Sequence, residues 1–464
     1  MRRRLLEALD YATTIRQRLT VYYETAYRMS ANFIDQVRRQ GIVGSGGAGF
    51  PAYAKLKQPV DLFIVNGAEC EPLLHKDKEL MKAFGDEILS GMARIRDHLG
   101  ASEAVLGIKE KYHDVIDALQ AKLPEKIRIH PLGDFYPAGD EFVLVYEVTG
   151  KVIPRGGLPL HVGIVVMNVE TVLDVALDRP VTHKYLTVGG AVHDPKTVRA
   201  PIGASIREVI DACGGANVAP YAVLSGGVMM GKLVRNIDDP ITKTTGGLLV
   251  FPDDHPLIAK YRRTYTEVNL IGKSACDQCS FCTELCPRYL LGHPIEPHLA
   301  MRALGFSHEK MSLVVGTHFC CECNLCSLIA CPEDLDPKNV CVQNKQELRA
   351  QKIMYPEDAP VRPPHGMLDG RRTPVSRLIV KLGLKHFENR GPLVSISLNP
   401  ERVVILLKQH VGAPATAVVK MGDRVQEGDV IATVPENQLG VPLHASMAGM
   451  VNDVTDAFVE IRRE

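Results

Sequence analysis

Tryptophan is absent from this 464-residue chain and aromatic residues make up only 6% of it, so any stacking on a ligand falls to Phe and Tyr. Charge of one sign is lacking too: 54 Lys and Arg balance 54 Asp and Glu. That balance leaves no electrostatic footprint for nucleic acid. No apolar run approaches the roughly 20 residues that span a bilayer, so no membrane span is expected. The first 28 residues hold three consecutive arginines and a mixed helical pattern, without the continuous apolar stretch of a secretory signal. Met29 then precedes Ser30 to Ile34, which reads as a helix start. Residues 1–29 are therefore expected to be an extension from an upstream start codon, with a docking helix as the alternative.

Cysteine is what the chain has in abundance. Ten of its twelve cysteines lie between Cys276 and Cys341. Eight of them form two runs, Cys276-x2-Cys279-x2-Cys282-x3-Cys286-Pro and Cys320-x2-Cys323-x2-Cys326-x4-Cys331-Pro. Closely spaced thiolates on a short turn wrap three corners of an iron–sulfur cube, and a remote cysteine supplies the fourth. Zinc knuckles favour paired C-x2-C spacings, often with histidine, so a triplet followed by Cys-Pro fits zinc poorly. Clustering without a signal segment argues against disulfides, and free thiolates point to a reducing, cytoplasmic setting. In two-cluster ferredoxins the fourth cysteine of each run ligates the other cluster. On that logic Cys276, Cys279, Cys282 and Cys331 hold one [4Fe–4S] cluster, and Cys320, Cys323, Cys326 and Cys286 hold the second. The x4 spacer before Cys331 is expected to bulge. Cys321 and Cys341 are left as buried thiols, with Cys321 a competitor of Cys320 for the cluster.

Length alone implies three or four domains, and 45% apolar with 23% charged residues is the composition of an ordinary soluble protein. Residues 41–56 contain a loop whose glycines let the backbone approach a flat or anionic ligand, with Lys55 adding a charge. It is neither a dinucleotide fingerprint nor a Walker A loop. Val60 to Asn66 follows as an apolar strand, and Gly67 to Pro72 lies at its carboxyl end, where ligands bind in open α/β sheets.

Gly44-Ser-Gly-Gly-Ala-Gly-Phe-Pro51 and Asn66-Gly-Ala-Glu-Cys-Glu-Pro72 resemble the FMN and NADH loops of the complex I 51-kDa subunit family. Tyr136 to Glu141 and Gly163 to Thr171 agree with it. Within that family the chain is most similar to the RnfC type and to the cobalamin reductases of propanediol utilisation. The resemblance implies that Gly44, Gly46, Gly47 and Lys55 cradle the FMN phosphate side. It implies that Asn66, Glu69, Tyr136, Gly139, Glu141 and Asn168 line the isoalloxazine and ribityl portion, with Phe50 and Glu71 beside the nicotinamide nucleotide. Complex I subunits carry Arg after the first glycine, where this chain has Ser45, so a cation near the phosphate is missing. By their residues alone, Glu69 and Glu71 read equally as solvated loop and Asp140 and Glu141 as helix caps.

His183 to Asp254 alternates short strands with turns, which resembles the SLBB domain, a β-grasp fold; its Met229–Met230 pair is expected to fill core. Residues 355–375 are rich in Pro, Arg and Gly and read as linker. Val403 to Glu464 resembles the barrel-sandwich hybrid of biotinyl and lipoyl domains. The expected hairpin, Pro435 to Gly440, has no lysine, which excludes a swinging-arm carrier and leaves docking or scaffolding.

The expected architecture is thus multidomain α/β. It comprises a Rossmann-like flavin domain (30–180), the SLBB domain (181–255), a helical dicluster ferredoxin domain (256–350), a linker (351–400) and the barrel-sandwich hybrid (401–464). The expected activity passes electrons from NADH through FMN and two [4Fe–4S] clusters to cobalamin or a B12-handling enzyme. No side chain is needed as nucleophile or acid. The module order, with the barrel-sandwich last rather than first as in the RnfC type, favours a reductase in or on a bacterial microcompartment, with a shell protein as a further partner. The alternatives are a peripheral, RnfC-like member of a membrane ion-pumping complex and a non-enzymatic electron conduit. Two cubes require eight irons, so anaerobic purification should return about eight irons and eight labile sulfides per chain; fewer than about six irons would rule out two clusters.

Overall fold

The computed structural model describes residues 32–306, 310–356, 362–396 and 398–464, so the extension at 1–29 lies outside the described residues. A parallel sheet forms the first domain, from β1 (Leu62–Gly67), β2 (Glu103–Lys109), β3 (Ile127–Leu132) and β4 (Ile164–Asn168), in the order β3-β2-β1-β4. Its central strand is an unbroken apolar run because both faces are covered; Phe63, Ile64 and Val65 are all 0% exposed. Helices Gly85–Leu99 and Val169–Leu177 pack Ile88, Met92, Ile95 and Val172 onto one face. Helix Glu141–Thr149 packs Val143 and Leu144 onto the other, against Ile64, Val105 and Val166. From β1 the chain builds outward through β2 to β3, then returns to place β4 on the opposite side of β1. That reversal opens a crevice at the carboxyl ends of β1 and β4, the place where such sheets take ligands.

The second sheet contains β5 (His183–Gly190), β6 (Lys196–Pro201), β7 (Tyr221–Ser225), β8 (Lys232–Leu233) and β9 (Gly247–Pro252), in the order β6-β5-β9-β7-β8. Only the β5–β9 pair is parallel. Its helix Ile206–Asp211 begins with a reciprocal cap between Ser205 and Glu208, which satisfies two otherwise orphaned N–H groups. Short helices and loops then carry the cysteine runs up to the longer helix Pro337–Ala350. At the carboxyl end, β10 (Arg402–Leu406), β11 (Thr416–Ala417), β12 (Arg424–Val425), β13 (Val430–Thr433), β14 (Leu443–His444), β15 (Gly449–Val454) and β16 (Phe458–Arg462) form two sheets. Their orders are β10-β16-β15-β12 and β11-β13-β14. Among the described residues no helix is long and apolar enough to cross a membrane.

Two findings depart from the sequence reading. From Thr373 onward the stretch read as linker packs as a strap. Thr373–Pro374 pairs with Phe135–Tyr136, and helix Val375–Lys381 buries Val375 and Leu378. Further along, the Thr197 N–H donates to Pro392 O at 2.9 Å, and the Val394 N–H donates to Thr197 O at 2.9 Å. Its Pro and Gly content marks turns, while the spaced Val and Leu anchor it. The second departure is in form: the bulge expected before Cys331 is a π-helical turn over Cys326–Ala330. The Cys331 N–H reaches back to Cys326 O at 3.2 Å, so the ladder absorbs the extra residue.

The last module closes against the first. The buried Lys243 ammonium donates to Gly41 O at 2.6 Å and Pro442 O at 3.3 Å, and its backbone N–H donates to the Gln409 side chain at 2.9 Å. Burial pulls this lysine down to about 7. Burial likewise lowers His75, His183 and His293 to about 4 and His444 to about 3. The folded protein therefore binds fewer protons at these imidazoles than the unfolded chain, so their contribution is full above the ordinary histidine range and is lost as pH falls through about 4. Buried Glu69, Glu71 and Asp174, raised to about 7, act in the opposite sense over the same range. The imidazole part is therefore read by difference: between pH 6.5 and 4 the wild-type denaturant midpoint should fall relative to that of His444→Gln.

Candidate flavin and iron–sulfur site

A cavity of about 460 Å³ opens at the crevice between β1 and β4. The glycine loop forms one wall. Its neck closes through the Gly44 N–H donating to Phe50 O at 2.8 Å, and Gly44, Gly46, Phe50 and Lys55 line the cavity. Gly47 sits in the same turn at φ +108° without lining it. Ser45 is buried beneath, its N–H donating to Thr171 Oγ1 at 3.0 Å. Gly49 has φ +66°, and an added Cβ would lie 2.8 Å from Thr244 Cγ2. The Val411 N–H also donates to Gly49 O at 3.0 Å, so the SLBB and carboxyl-terminal modules both brace the loop from behind.

The opposite wall comes from the strand ends. Asn66, next to last in β1, donates to Gly139 O at 2.9 Å while accepting from the Ala68 N–H at 3.1 Å. Asn168 caps helix Val169–Leu177 by accepting from the Glu170 N–H, and donates to Asp77 at 2.7 Å. Lys55 is less free than a phosphate ligand needs to be: its ammonium donates to Glu141 at 3.0 Å and to Val166 O at 2.9 Å. Asp140 is the cap of helix Glu141–Thr149, accepting from Phe142 and Val143, whereas Glu141 occupies the first turn and faces the cavity.

Two carboxyl groups are shifted. Burial, reinforced by Asp77, raises Glu69 to about 7, and burial raises Glu71 to about 7. Glu71 is committed to the protein itself, accepting from the Met229 and Met230 N–H groups at 2.9 Å each. The methionine pair thus splits. Met229 is core at 0% exposed, but Met230 is 54% exposed and lines the cavity, because the turn must present both N–H groups to Glu71.

The second cysteine run forms the floor. Cys321 and Cys323 both line the cavity, and the buried Tyr136 hydroxyl donates to Cys323 O at 2.9 Å. Arg288, which follows Cys286-Pro287, also lines it. Its guanidinium pairs with Asp140 at 2.8 Å, stacks 3.5 Å over the Phe142 ring and reaches the Cys321 thiol. Sequence reasoning missed Arg288, Cys70, Thr171 and the inward side of Cys321. Cys70 and Thr171 lay within quoted motifs without being assigned a role; Arg288 and Cys321 are brought in by tertiary packing.

The two runs share one backbone form. Gln278 and Ser280 in the first, and Glu322 and Asn324 in the second, adopt φ between 58° and 68°. Non-glycine residues in that region are strained, and such strain gathers at functional loops. It turns N–H groups inward: the Glu322 N–H donates to Cys320 Sγ at 3.4 Å and Leu335 N–H to Cys331 Sγ at 3.4 Å, while the Gln278 amide reaches Cys276 Sγ at 3.1 Å. Hydrogen bonds to sulfur are one control of cluster potential. Cys276, Cys279, Cys282 and Cys331, the residues expected to share one cluster, line a single cavity. Cys286, Cys323 and Cys326 are buried nearby, and Cys320 packs beside Cys341. Among the described residues no three His, Cys, Asp or Glu side chains converge on one metal-ion position.

Comparison with known proteins follows the same modules. Residues 37–177 match the Nuo51 FMN-binding domain, 185–233 the SLBB domain, 275–336 a 4Fe-4S dicluster domain and 380–463 the RnfC barrel sandwich hybrid domain. The cobalamin reductase PduS of Salmonella typhimurium is 44% identical over 435 residues, covering 92% of this chain and 96% of that protein. The chain belongs to the PduS family. Its Citrobacter freundii member is 42% identical over 434 residues, with the same coverage. A component of the proton-translocating ferredoxin:NAD(+) oxidoreductase complex of Clostridium ljungdahlii is 37% identical over 264 residues, covering 55% of each chain. Arg288 joins the flavin domain, through Asp140, to the cysteine runs of this chain. Arg288→Leu should cost about 3 kcal/mol in anaerobic urea denaturation by stranding Asp140, and adding Asp140→Asn should recover part of it.

Proposed function

We propose that the protein is an NADH-dependent flavin and iron–sulfur reductase that delivers electrons singly to cobalamin. One observation carries the reading: the ligand cavity at the sheet's switch point shares its floor with the second cysteine run, through Cys321, Cys323 and Tyr136. The likeness to PduS over nearly the whole chain supports the acceptor. The flavin domain is read as Rossmann-like from its parallel order, and the SLBB sheet as a β-grasp from its single parallel pair.

In this reading the glycine loop offers backbone N–H groups to the FMN phosphate, with Lys55 oriented by Glu141. Asn66, Glu69, Tyr136, Gly139, Glu141 and Asn168 line the ring and ribityl chain, and Phe50 and Glu71 stand beside the nucleotide. Raised carboxyl groups at Glu69 and Glu71 soften the repulsion of an anionic nucleotide near neutral pH. Arg288 supplies a buried guanidinium at the cavity floor, paired with Asp140, while Ser45 adds no charge at the glycine loop. A flavin accepts two electrons together and releases them one at a time, and the protein's part is placement and tuning. One NADH accordingly reduces two cobalt(III) centres to cobalt(II) and releases one proton. The cysteine sets are those given by cross-ligation, with Cys321 facing the flavin side rather than replacing Cys320. The carboxyl-terminal module acts as brace and docking element. The cellular setting is a cytoplasmic microcompartment, with a B12-handling enzyme and a shell protein as partners.

Anaerobic NADH oxidation with hydroxocobalamin tests this directly. Cobalamin(II) should accumulate at two per NADH consumed. Rapid reduction of ferricyanide without any change in cobalamin would instead support the conduit or ion-pump reading.

A further inference from the structure

A second cavity, of about 500 Å³, lies across the Val228–Gly231 turn from the flavin cavity. The turn is the partition between them: Met230 lines the flavin side and Gly231 the other. Glu71 holds its N–H groups from one side. From the other, the Tyr261 hydroxyl donates to Val228 O at 2.9 Å and the Asn324 amide to Met229 O at 3.1 Å. The far wall is Asn324, Ser327 and Leu328, which lie between Cys323 and Cys331. A ligand seated here is separated from the second cysteine run by one thickness of chain.

The charge around this cavity is one-sided. Lys260 and Arg263 share Asp334, and Arg262 pairs with Asp253. Asp336, the lining carboxylate, is engaged as a helix cap, accepting from the Ser327 hydroxyl and the Asn339 N–H. That leaves Lys232 and Arg235 with no acidic partner among the described residues, and Lys338 with only the Asn339 side-chain oxygen. Leu233, Leu328, Leu335 and Tyr261 give the cavity an apolar body. Concave sites of this size with a few convergent polar groups suit small molecules, and guanidinium and ammonium groups together select phosphate.

We propose that this cavity binds the phosphodiester-bearing nucleotide arm of the corrinoid acceptor, through Lys232, Arg235 and Lys338, with the macrocycle at its mouth. The inference rests on the reductase reading. It also separates donor and acceptor: the nucleotide enters one cavity, the corrinoid the other, and the second cysteine run lies between.

The test is anaerobic equilibrium dialysis of the holoprotein against hydroxocobalamin and against cobinamide, which lacks the phosphodiester. The wild type should bind hydroxocobalamin at least about tenfold more tightly than cobinamide, the effect of one charge-assisted contact. Lys232→Ala/Arg235→Ala should abolish that preference, and Lys338→Ala should reduce it, with NADH–ferricyanide activity unchanged in both. A double variant that keeps the preference overturns the assignment. So does a wild type that prefers a polyglutamate peptide to either corrinoid, which would mark a protein-docking site. Cobalamin that binds through these cations yet is never reduced would sink the reductase reading and leave the cavity assigned.

Discussion

The carboxylate of Glu71 ties the flavin sheet to the two modules that follow it. Each of its oxygens accepts one N–H of the Met229–Met230 turn, and the carbonyls of that turn accept from Tyr261 and Asn324. The network runs from the end of a parallel strand, through a β-turn of the second domain, into the loop between two cluster cysteines. Buried polar networks of this kind are costly when incomplete and rigid when satisfied. Here the rigidity sets the spacing between the flavin cavity and the second run. The carboxyl group we propose to stand beside the nucleotide is thus partly a structural tie, and its raised pKa follows from the burial that the tie requires.

The remaining modules serve that geometry from behind. Lys243, Gln409 and Val411 converge on Gly41 and Gly49, so the glycine loop is braced by two other modules rather than by its own domain alone. The strap adds a second restraint, with Lys78 donating to Arg390 O and Glu79 accepting from the Leu393 N–H. A loop rich in glycine is entropically loose in isolation. External contacts convert it into a formed cradle.

Local chemistry was legible in the sequence, and long-range placement was not. The cysteine runs announce themselves because ligand spacing is a property of a dozen consecutive residues, and Cys331 of the second run lines the same cavity as Cys276, Cys279 and Cys282. The strand at β1 was equally plain from its apolar run. Arg288 was invisible because nothing in its neighbours tells that Asp140 and Cys321 fold against it. Lys55 suggested phosphate from charge alone, while the fold supplies Glu141 as its partner. Met230 shows the same limit, since its exposure is dictated by a carboxylate about 160 residues upstream. Proline and glycine misread the strap because composition reports where a chain turns, not what its intervening leucines touch.

The π-helical turn at Cys326–Ala330 has a bearing on how these runs vary. The two loops keep matching left-handed positions although their spacers differ by one residue. The extra residue is therefore taken up after the matching positions, within the turn itself. An insertion there is swallowed by the winding of the helix instead of being passed back to the loop that carries the triplet, which lets the two runs differ in length while sharing one backbone form.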